Sequence, residues 1–230
     1  MIEWRIHHLA VTASTNLDAR AGRHGDVYTA DFQTAGRGRL DHRWLSSPGE
    51  NLAMSVVLSV EGVEPHEVAT LPLAVGLAVA TTIGGRVKWP NDVLVGGRKV
   101  AGILCERNGD CVIAGIGVNV RQTEFPPEIA ESAASLAMLG VADASVEGTR
   151  DMVLASLGEV YGRWHRGGFA AIYDDLAALD CLKGRRLAVR QTDSDVEPVR
   201  GVCGGITSDG SLDVGGERVY AGEAHVEAVK

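Results

Sequence analysis

Residues 88–119 read KWPNDVLVGGRKVAGILCERNGDCVIAGIGVN, and this stretch decides the fold. It contains three runs rich in branched residues, at 93–95, 99–106 and 111–120. Two short breaks separate the runs, Gly96-Gly97 and Asn108-Gly109, and both are typical of tight β-hairpin turns because their residues tolerate a positive φ. The stretch therefore predicts an antiparallel meander.

Further strands and helices are predicted on both sides of this meander. Residues 27–33 and 51–60 are typical of strands, and the side chains of Ser14-Thr15-Asn16 are typical of a helix start. Longer helices are predicted over residues 65–83, 127–139, 149–166 and 169–179. Together these elements predict an α+β fold with a mixed, largely antiparallel sheet and flanking helices.

The composition changes after about Leu182. Short alternating runs follow, separated by Gly204-Gly205, Asp209-Gly210 and Gly215-Gly216, and they predict a small β-barrel. We therefore expect two domains, residues 1–182 and 183–230. A module of fewer than about 50 residues is marginal alone, so the barrel is expected to dock on the larger domain.

Composition excludes several functional classes. Of the 230 residues, 22 are Lys or Arg and 30 are Asp or Glu, which gives a net charge of -8 and argues against nucleic acid as a partner. The four cysteines form no C-x-x-C pair, which indicates reduced thiols and a cytoplasmic protein. The longest apolar run, residues 71–80, is shorter than the roughly 20 residues of a membrane span. No charged-then-apolar leader opens the sequence, so we expect neither secretion nor membrane insertion.

Arginines alternate with glycines after Gln33, in Gly36-Arg37-Gly38-Arg39, and Arg43-Trp44 follows. Glycines let backbone N–H groups approach an anion, while guanidinium groups supply bidentate donors. In an acidic chain this local charge inversion indicates a site for a phosphate or a carboxylate. A solvated loop with incidental charge is the alternative.

A lysine opens the stretch Lys88-Trp89-Pro90-Asn91-Asp92, inside an otherwise apolar strand. A compact ammonium can neutralise an attacking carboxylate and a phosphate oxygen together. The alternative interpretation is that Lys88 extends from an edge strand into solvent. Gly115 and Gly117 precede Asn119, but this segment has no third glycine and no strand-to-helix turn, both of which a dinucleotide-binding fingerprint requires. Glycines within a strand instead indicate the close approach of another backbone or of a ligand.

In this order and spacing the chain resembles the biotin-protein ligases. The resemblance rests on these motifs: Ser14-Thr-Asn16, Gln33 with Gly36-Arg-Gly-Arg39, Trp44, Ser47-Pro-Gly49 with Asn51-Leu52, Lys88-Trp-Pro-Asn-Asp92, Lys99-Val-Ala-Gly-Ile-Leu-Cys-Glu106 and Gly115-Ile-Gly-Val-Asn119. It is clear from about residue 10 to 120 and weaker beyond. It implies the biotin/lipoate ligase fold, related to class II synthetases, with a C-terminal SH3-like barrel.

The resemblance also implies the reaction. Biotin and MgATP give biotinyl-5′-AMP, and a lysine of a carboxylase's biotin carboxyl carrier domain then displaces AMP. Lys88, Arg37 and Arg39 would be catalytic. The residues implied for biotin are Ser14, Thr15, Asn16, Gln33, Gly36, Arg37, Gly38, Arg39, Lys88 and Gly102. Those implied for the nucleotide are Arg37, Arg39, Trp44, Lys88, Asn91 and Asn119.

Catalysis in such a reaction is chiefly positioning and charge neutralisation, so no nucleophilic Ser or Cys is expected. No protein-held metal is expected either, because Mg²⁺ arrives with ATP and rests mainly on phosphates. The arginine loop, residues 36–43, is expected to close over the ligand and keep water from the adenylate.

The sequence departs from the family pattern at one place. The Gly-Arg pair before the tryptophan is replaced by Asp41 and His42, and Arg43 could supply the displaced guanidinium. Only 13 residues precede Ser14, so we expect a form without the N-terminal DNA-binding domain of some members. A monomer or a homodimer remains open.

Three alternative functions remain. A lipoate-protein ligase or an octanoyl transferase shares the fold, although the Gly-Arg-Gly-Arg and Lys-Trp-Pro-Asn-Asp motifs favour biotin. A biotin- or nucleotide-binding sensor without catalysis is another possibility, against which the presence of Lys88, Arg37 and Arg39 argues. A plain structural domain would need six ordered motifs to arise by chance.

Overall fold

The computed structural model describes residues 2–40, 42–141, 143–191 and 196–227. Within these residues the strands form a seven-stranded sheet and a five-stranded sheet. The first sheet consists of β1 (Arg5–Thr12), β2 (Asp26–Gln33), β3 (Asn51–Ser59), β4 (Arg86–Lys88), β5 (Asp92–Val95), β6 (Arg98–Asn108) and β7 (Cys111–Asn119). Their order is β1-β2-β3-β7-β6-β5-β4, and only the β1–β2 pairing is parallel. The predicted mixed, largely antiparallel sheet is therefore confirmed.

The meander forms as predicted, with one turn displaced by a residue. Gly96 and Gly97 lie between β5 and β6 with φ of 58° and 81°, a conformation that favours glycine. In the second hairpin Asn108 pairs with Cys111, so the two-residue turn is Gly109-Asp110 and not Asn108-Gly109. Gly109 supplies the positive φ of 60° at the first turn position.

Strand β1 is not predicted by the sequence. It lies at the edge of the sheet and pairs with β2 alone. Most of its residues are exposed, so it lacks the apolar alternation that identifies a half-buried strand.

The helices are α1 (Thr15–Asp18), α2 (Pro65–Val68), α3 (Leu71–Ile83), α4 (Val146–Gly167) and α5 (Tyr173–Leu179), with short 3₁₀ turns at Ala19–Ala21, Ala137–Leu139 and Phe169–Ala171. The predicted helix over residues 127–139 is wrong, because only its last turn is helical. Its backbone pairs with the sheet instead: Lys99 N–H donates to Ser132, and Ala134 N–H donates to Lys99. These long-range hydrogen bonds outweigh the local helical pattern.

Helix α3 is the central core helix. By length and composition Pro65–Ile83 could cross a membrane, with a mean hydropathy of 1.4, yet 56% of this segment is buried inside the protein. Leu71, Val75 and Val79 of α3 belong to the main hydrophobic core. Burial in a protein core accounts for the apolar composition of this helix.

The second sheet contains β8 (Arg186–Arg190), β9 (Val199–Ile206), β10 (Leu212–Val214), β11 (Glu217–Val219) and β12 (Glu223–Val226), in the order β11-β10-β9-β8-β12. It is attached to the first sheet through polar contacts. Trp89 Nε1 donates to the Gly210 carbonyl at 3.1 Å, and the buried Asp180 carboxylate accepts from the backbone N–H groups of Leu182 and Ile206. Apolar residues of both sheets form one continuous core. The domain boundary at 182/183 stays a prediction.

Candidate active site

A cavity of about 510 Å³ lies between the first sheet, the arginine loop and β12. It brings together all the predicted site residues except Gly36, which lines a second hollow beside the arginine loop. The predicted residues on the cavity wall are Ser14, Thr15, Asn16, Gln33, Arg37, Gly38, Arg39, Trp44, Lys88, Asn91, Gly102 and Asn119. Residues 90 and more positions apart in the chain therefore meet at one site.

One wall of this cavity is a polar pocket made of Thr15, Asn16, Gln33 and Ser55. Thr15 N–H donates to Gln33 Oε1 at 2.8 Å, and the Thr15 hydroxyl donates to the same oxygen at 3.2 Å. Ser55 Oγ lies 2.7 Å from Thr15 Oγ1 and 2.6 Å from Asn16 Oδ1. Except for Gln33, these side chains are buried, so the pocket is rigid before any ligand arrives.

The glycine at 115 makes room for this pocket. A Cβ on Gly115 would lie 2.3 Å from Asn16 Oδ1, which no real structure tolerates. The strand glycines were predicted to mark the approach of a backbone or a ligand, and at Gly115 this is wrong, because the approaching group is the Asn16 side chain. Asn16 Nδ2 donates to Glu106 Oε2 at 2.7 Å, so the protein itself binds both ends of the amide.

A cation cluster of Lys88, Lys99 and Asp92 lines another part of the cavity. The Lys88 ammonium lies 3.9 Å from Asp92 Oδ2. Lys99 Nζ lies 2.6 Å from Asp92 Oδ1, as an ion pair without hydrogen-bond geometry. Two ammonium groups thus share one carboxylate, which leaves a net positive charge at the cavity wall.

Trp44 lies across the strand glycines on the cavity wall. A Cβ on Gly117 would lie 2.4 Å from its ring, and one on Gly102 would lie 3.1 Å away. The Lys99 ammonium is 5.9 Å from the ring centroid, a cation–π distance. Trp44 Nε1 is buried and has no acceptor among the residues that the structure describes.

The arginine loop makes three links to the rest of the protein. Arg37 Nη1 donates to Glu106 Oε1 at 2.9 Å. Arg39 Nη1 lies 3.3 Å from both Asn91 Oδ1 and the Gly222 carbonyl. His42 Nε2 lies 3.2 Å from Glu223 Oε1. The loop is therefore in contact with both sheets.

The departure from the family pattern is only partly visible. Asp41 lies outside the described residues. His42 and Arg43 both line the cavity, and the Arg43 guanidinium donates to the Thr34 carbonyl at 3.2 Å. This hydrogen bond holds the side chain of Arg43, the last residue of the loop, beside Thr34, which precedes the loop.

Asn91 and Asn119 present backbone-anchored amides to the cavity. Asn91 Nδ2 donates to the Ile103 carbonyl at 3.0 Å, and Asn119 Nδ2 donates to the Ala134 carbonyl at 3.1 Å. These hydrogen bonds orient both side chains, as a ligand-binding wall requires.

The cysteines are poor nucleophiles. Loss of hydration raises the pKa of Cys105 to about 12 and that of Cys203 to about 11, and it raises the pKa of Cys111 and Cys181 as well. At neutral pH all four thiols are therefore protonated. The described part of the chain contains no group of three His, Cys, Asp or Glu side chains arranged for a metal.

Sequence reasoning gave no role to Lys99, Ser55 and Glu106. Lys99 and Glu106 stand at the ends of a motif that carried the resemblance, and Lys99 is a second charged residue in an apolar strand, as Lys88 is. That pattern could have identified Lys99 as a candidate site residue. No pattern in the sequence identifies Ser55, because a hydroxyl in a buried strand does not indicate its hydrogen-bond partners.

Comparison with known proteins agrees with this geometry. A model of the biotin/lipoate A/B protein ligase family matches residues 10–123. A biotin–(acetyl-CoA-carboxylase) ligase of Mycobacterium tuberculosis is 34% identical over 241 residues, a match that covers 97% of this chain and 89% of that protein. The bifunctional ligase/repressor BirA of Escherichia coli is 33% identical over 164 residues, covering 65% of this chain and 50% of BirA.

A solved structure extends the similarity to the whole chain. The biotin protein ligase from Aquifex aeolicus in complex with biotin and ATP superimposes with a TM-score of 0.86 at 27% identity, and the match covers 98% of this chain and 99% of that chain. Since the Mycobacterium tuberculosis relative aligns along nearly the whole of both sequences, the chain belongs to the biotin protein ligases of the biotin/lipoate A/B protein ligase family.

Proposed function

We propose that this protein joins biotin to a lysine of a carboxylase carrier domain in two steps, through biotinyl-5′-AMP. The observation that carries the proposal is the cavity, where a rigid polar pocket and a cation cluster face one space of about 510 Å³. Such a space suits a vitamin with an anionic tail that meets a nucleotide phosphate. The relatives carry the same activity in their names.

The polar pocket is assigned to the ureido ring of biotin. A ureido group offers one carbonyl acceptor and two N–H donors, and hydroxyl and amide side chains match these directly. Ser14, Thr15 and Gln33 line the cavity, and Gly102 leaves room for the aliphatic tail. Asn16 supports the pocket and does not bind the ring itself, because both ends of its amide are already bonded to Ser55 and Glu106.

The cation cluster is assigned to the reacting centre. In the first step the biotin carboxylate attacks the α-phosphorus of ATP, and pyrophosphate leaves. Two anions repel each other at this point, so Lys88 and Lys99 accelerate the reaction by neutralising charge. Both ammonium groups are anchored on Asp92, and the pair replaces the single lysine that the sequence suggested.

The nucleotide is assigned to the remaining wall, formed by Trp44, Arg39, Asn91 and Asn119. The unpaired Trp44 N–H is a donor that a ligand acceptor would satisfy. Among the described residues, Asp92 and Glu223 are the carboxylates on the cavity wall, and Asp92 is already paired with two lysines. Mg²⁺ would therefore arrive on the phosphates of ATP and screen their charge there.

The arginine loop is assigned the role of a lid. Its residues flank the cavity and touch β12, so closure would shut the cavity between the two sheets. Exclusion of water protects a mixed anhydride from hydrolysis until the carrier lysine attacks.

The carrier domain and the compartment complete the proposal. The second step needs an exposed lysine amine that reaches the activated carbonyl, and the name of the Mycobacterium tuberculosis relative supports a carboxylase's biotin carboxyl carrier domain as the partner that we propose. The cytoplasm is proposed as the compartment, and four free thiols, as in reducing compartments, support it.

Two measurements on the full chain test the function. Incubation with biotin, MgATP and a purified carrier domain should add the mass of one biotinyl group to the carrier. Biotin-dependent exchange of labelled pyrophosphate into ATP should occur without the carrier. Transfer of a lipoyl or octanoyl group in place of biotin would favour the alternative ligases, and biotin binding without exchange would indicate a sensor.

A further inference from the structure

We propose that Glu106 is a positioning residue, which holds Arg37 and thereby the start of the arginine loop in the place where biotin needs it. The inference rests on the proposed function. Glu106 is not on the cavity wall, so it acts through the two neighbours that are, Arg37 and Asn16.

Glu106 is bound from both sides. Its Oε1 accepts a hydrogen bond from Arg37 Nη1 at 2.9 Å, and its Oε2 accepts one from Asn16 Nδ2 at 2.7 Å. The Arg20 guanidinium lies 3.9 Å away. Its side chain is 23% exposed, against 43% for that of Arg37. The carboxylate therefore joins a loop guanidinium to the wall of the polar pocket.

The pocket side of this link is fixed. Asn16 is buried, its Oδ1 lies 2.6 Å from Ser55 Oγ, and it fits against the backbone of Gly115, where a Cβ would collide with it. Glu106 itself stands in β6 and pairs with Ile113 of β7. A side chain tied to Glu106 is thus tied to a paired strand of the first sheet.

The loop side has weaker anchors elsewhere. The Arg39 contacts measure 3.3 Å, and the His42–Glu223 pair measures 3.2 Å between two exposed side chains. The Arg39 contacts are thus long, and an exposed pair such as His42–Glu223 contributes little. The hydrogen bond between Arg37 and Glu106 is the shortest of these contacts between the loop and the sheets. It fixes the loop at a position two residues before Arg39.

Pinning the loop at Arg37 lowers the ordering entropy that biotin binding must overcome. A flexible loop loses conformational freedom when it closes, and a link that exists before binding removes part of that cost. Loss of the link should therefore weaken capture of biotin. It should leave turnover at saturating biotin nearly unchanged, because the cation cluster is untouched.

The test is Glu106→Gln in the full chain, with biotin binding measured by isothermal titration calorimetry. The amide oxygen can still accept from Asn16, whereas the charge that attracts Arg37 is lost. Biotin affinity should fall about three- to tenfold, and kcat for carrier biotinylation should stay within about twofold of wild type. The exposed Glu61→Gln carries the same charge change and should bind biotin as wild type does.

A double-variant cycle shows whether Glu106 acts through Arg37. In an Arg37→Ala background, Glu106→Gln should cause no further loss of affinity. An additive loss, or a Glu106→Gln protein that binds biotin as tightly as wild type, overturns the inference. If Glu106→Gln lowers the melting temperature, trypsin cleavage within residues 36–43 of the biotin-free protein, measured well below that temperature, tests the link directly, and cleavage no faster than in wild type overturns the inference. Failure of wild type to bind biotin would instead refute the proposed function.

Discussion

The polar pocket and the arginine loop line the same cavity, yet they are built in opposite ways. In the pocket, residues of α1, β2 and β3, all buried except Gln33, contact one another at 2.6–3.2 Å. In the loop, Arg37 and Arg39 reach acceptors on or beside two different sheets at 2.9–3.3 Å. The pocket cannot shift without breaking its own network, whereas the loop can move by exchanging partners.

This difference corresponds to two requirements of the reaction. Recognition of a small ring needs donors and acceptors that are fixed before binding. Retention of a reactive adenylate needs a cover that opens and closes. One cavity meets both requirements because its pocket is built on strands and its cover on a loop.

The largest effect is expected from the cation cluster, which belongs to neither region. Lys99→Ala and Lys88→Ala should each lower the rate of pyrophosphate exchange by about 10²–10³-fold, because each removes one charge from the reacting centre. Biotin binding in the polar pocket should persist. The exposed Lys183→Ala is the control, and near-normal exchange by either cavity variant would remove that lysine from the mechanism.

Substitutions at two glycines test the contrast between the rigid polar pocket and the movable arginine loop. Gly115→Ala places a Cβ 2.3 Å from Asn16, whose amide is held on both sides, so biotin affinity should fall at least about tenfold. Gly117→Ala places a Cβ 2.4 Å from Trp44, which follows the loop and can move away. The loss of affinity for biotin should be smaller there.

Calorimetry with biotin measures both glycine variants. Gly76→Ala is the control, since its Cβ would meet nothing closer than 3.8 Å. Equal losses at Gly115 and Gly117 would contradict the distinction between a rigid pocket and a movable loop.

The smallest effect concerns the loop itself. Cleavage within residues 36–43 by trypsin should slow several-fold when biotin and ATP are present, because closure orders the arginines. Cleavage at Arg190, outside the cavity, provides the internal reference. Equal cleavage with and without ligands would show that the loop is not a lid.

Local signals were sufficient to predict the meander, whereas the roles of the site residues came from the resemblance to a family. The turn glycines at 96 and 97 and the branched runs around them determine local geometry, which the sequence records directly. The site residues belong to short motifs of unusual composition, such as alternating glycine and arginine. These motifs gather at one cavity because the sheet brings them together.

Long-range contacts explain what the sequence did not reveal. Residues 127–139 are predicted to be helical, but the backbone hydrogen bonds of Ser132 and Ala134 with Lys99, and of Leu136 N–H with the Asn119 carbonyl, hold the second half of the segment against the sheet. Ser55 looked like an ordinary strand residue until Thr15 and Asn16 were placed beside it. The turn at 109–110 depends on the pairing of Asn108 with Cys111, which is a property of two strands and not of the turn sequence.

The fluorescence of the four tryptophans can report on ligand binding. The indole N–H groups of Trp4, Trp89 and Trp164 already donate to Leu154, Gly210 and Thr70. Trp44 and Trp89 both line the cavity wall, and of the two only Trp44 has no acceptor for its indole N–H among the described residues. A shift in emission wavelength on adding biotin or ATP would thus report on these two rings, and its loss in a Trp44→Phe protein would assign the signal to the ring beside the arginine loop.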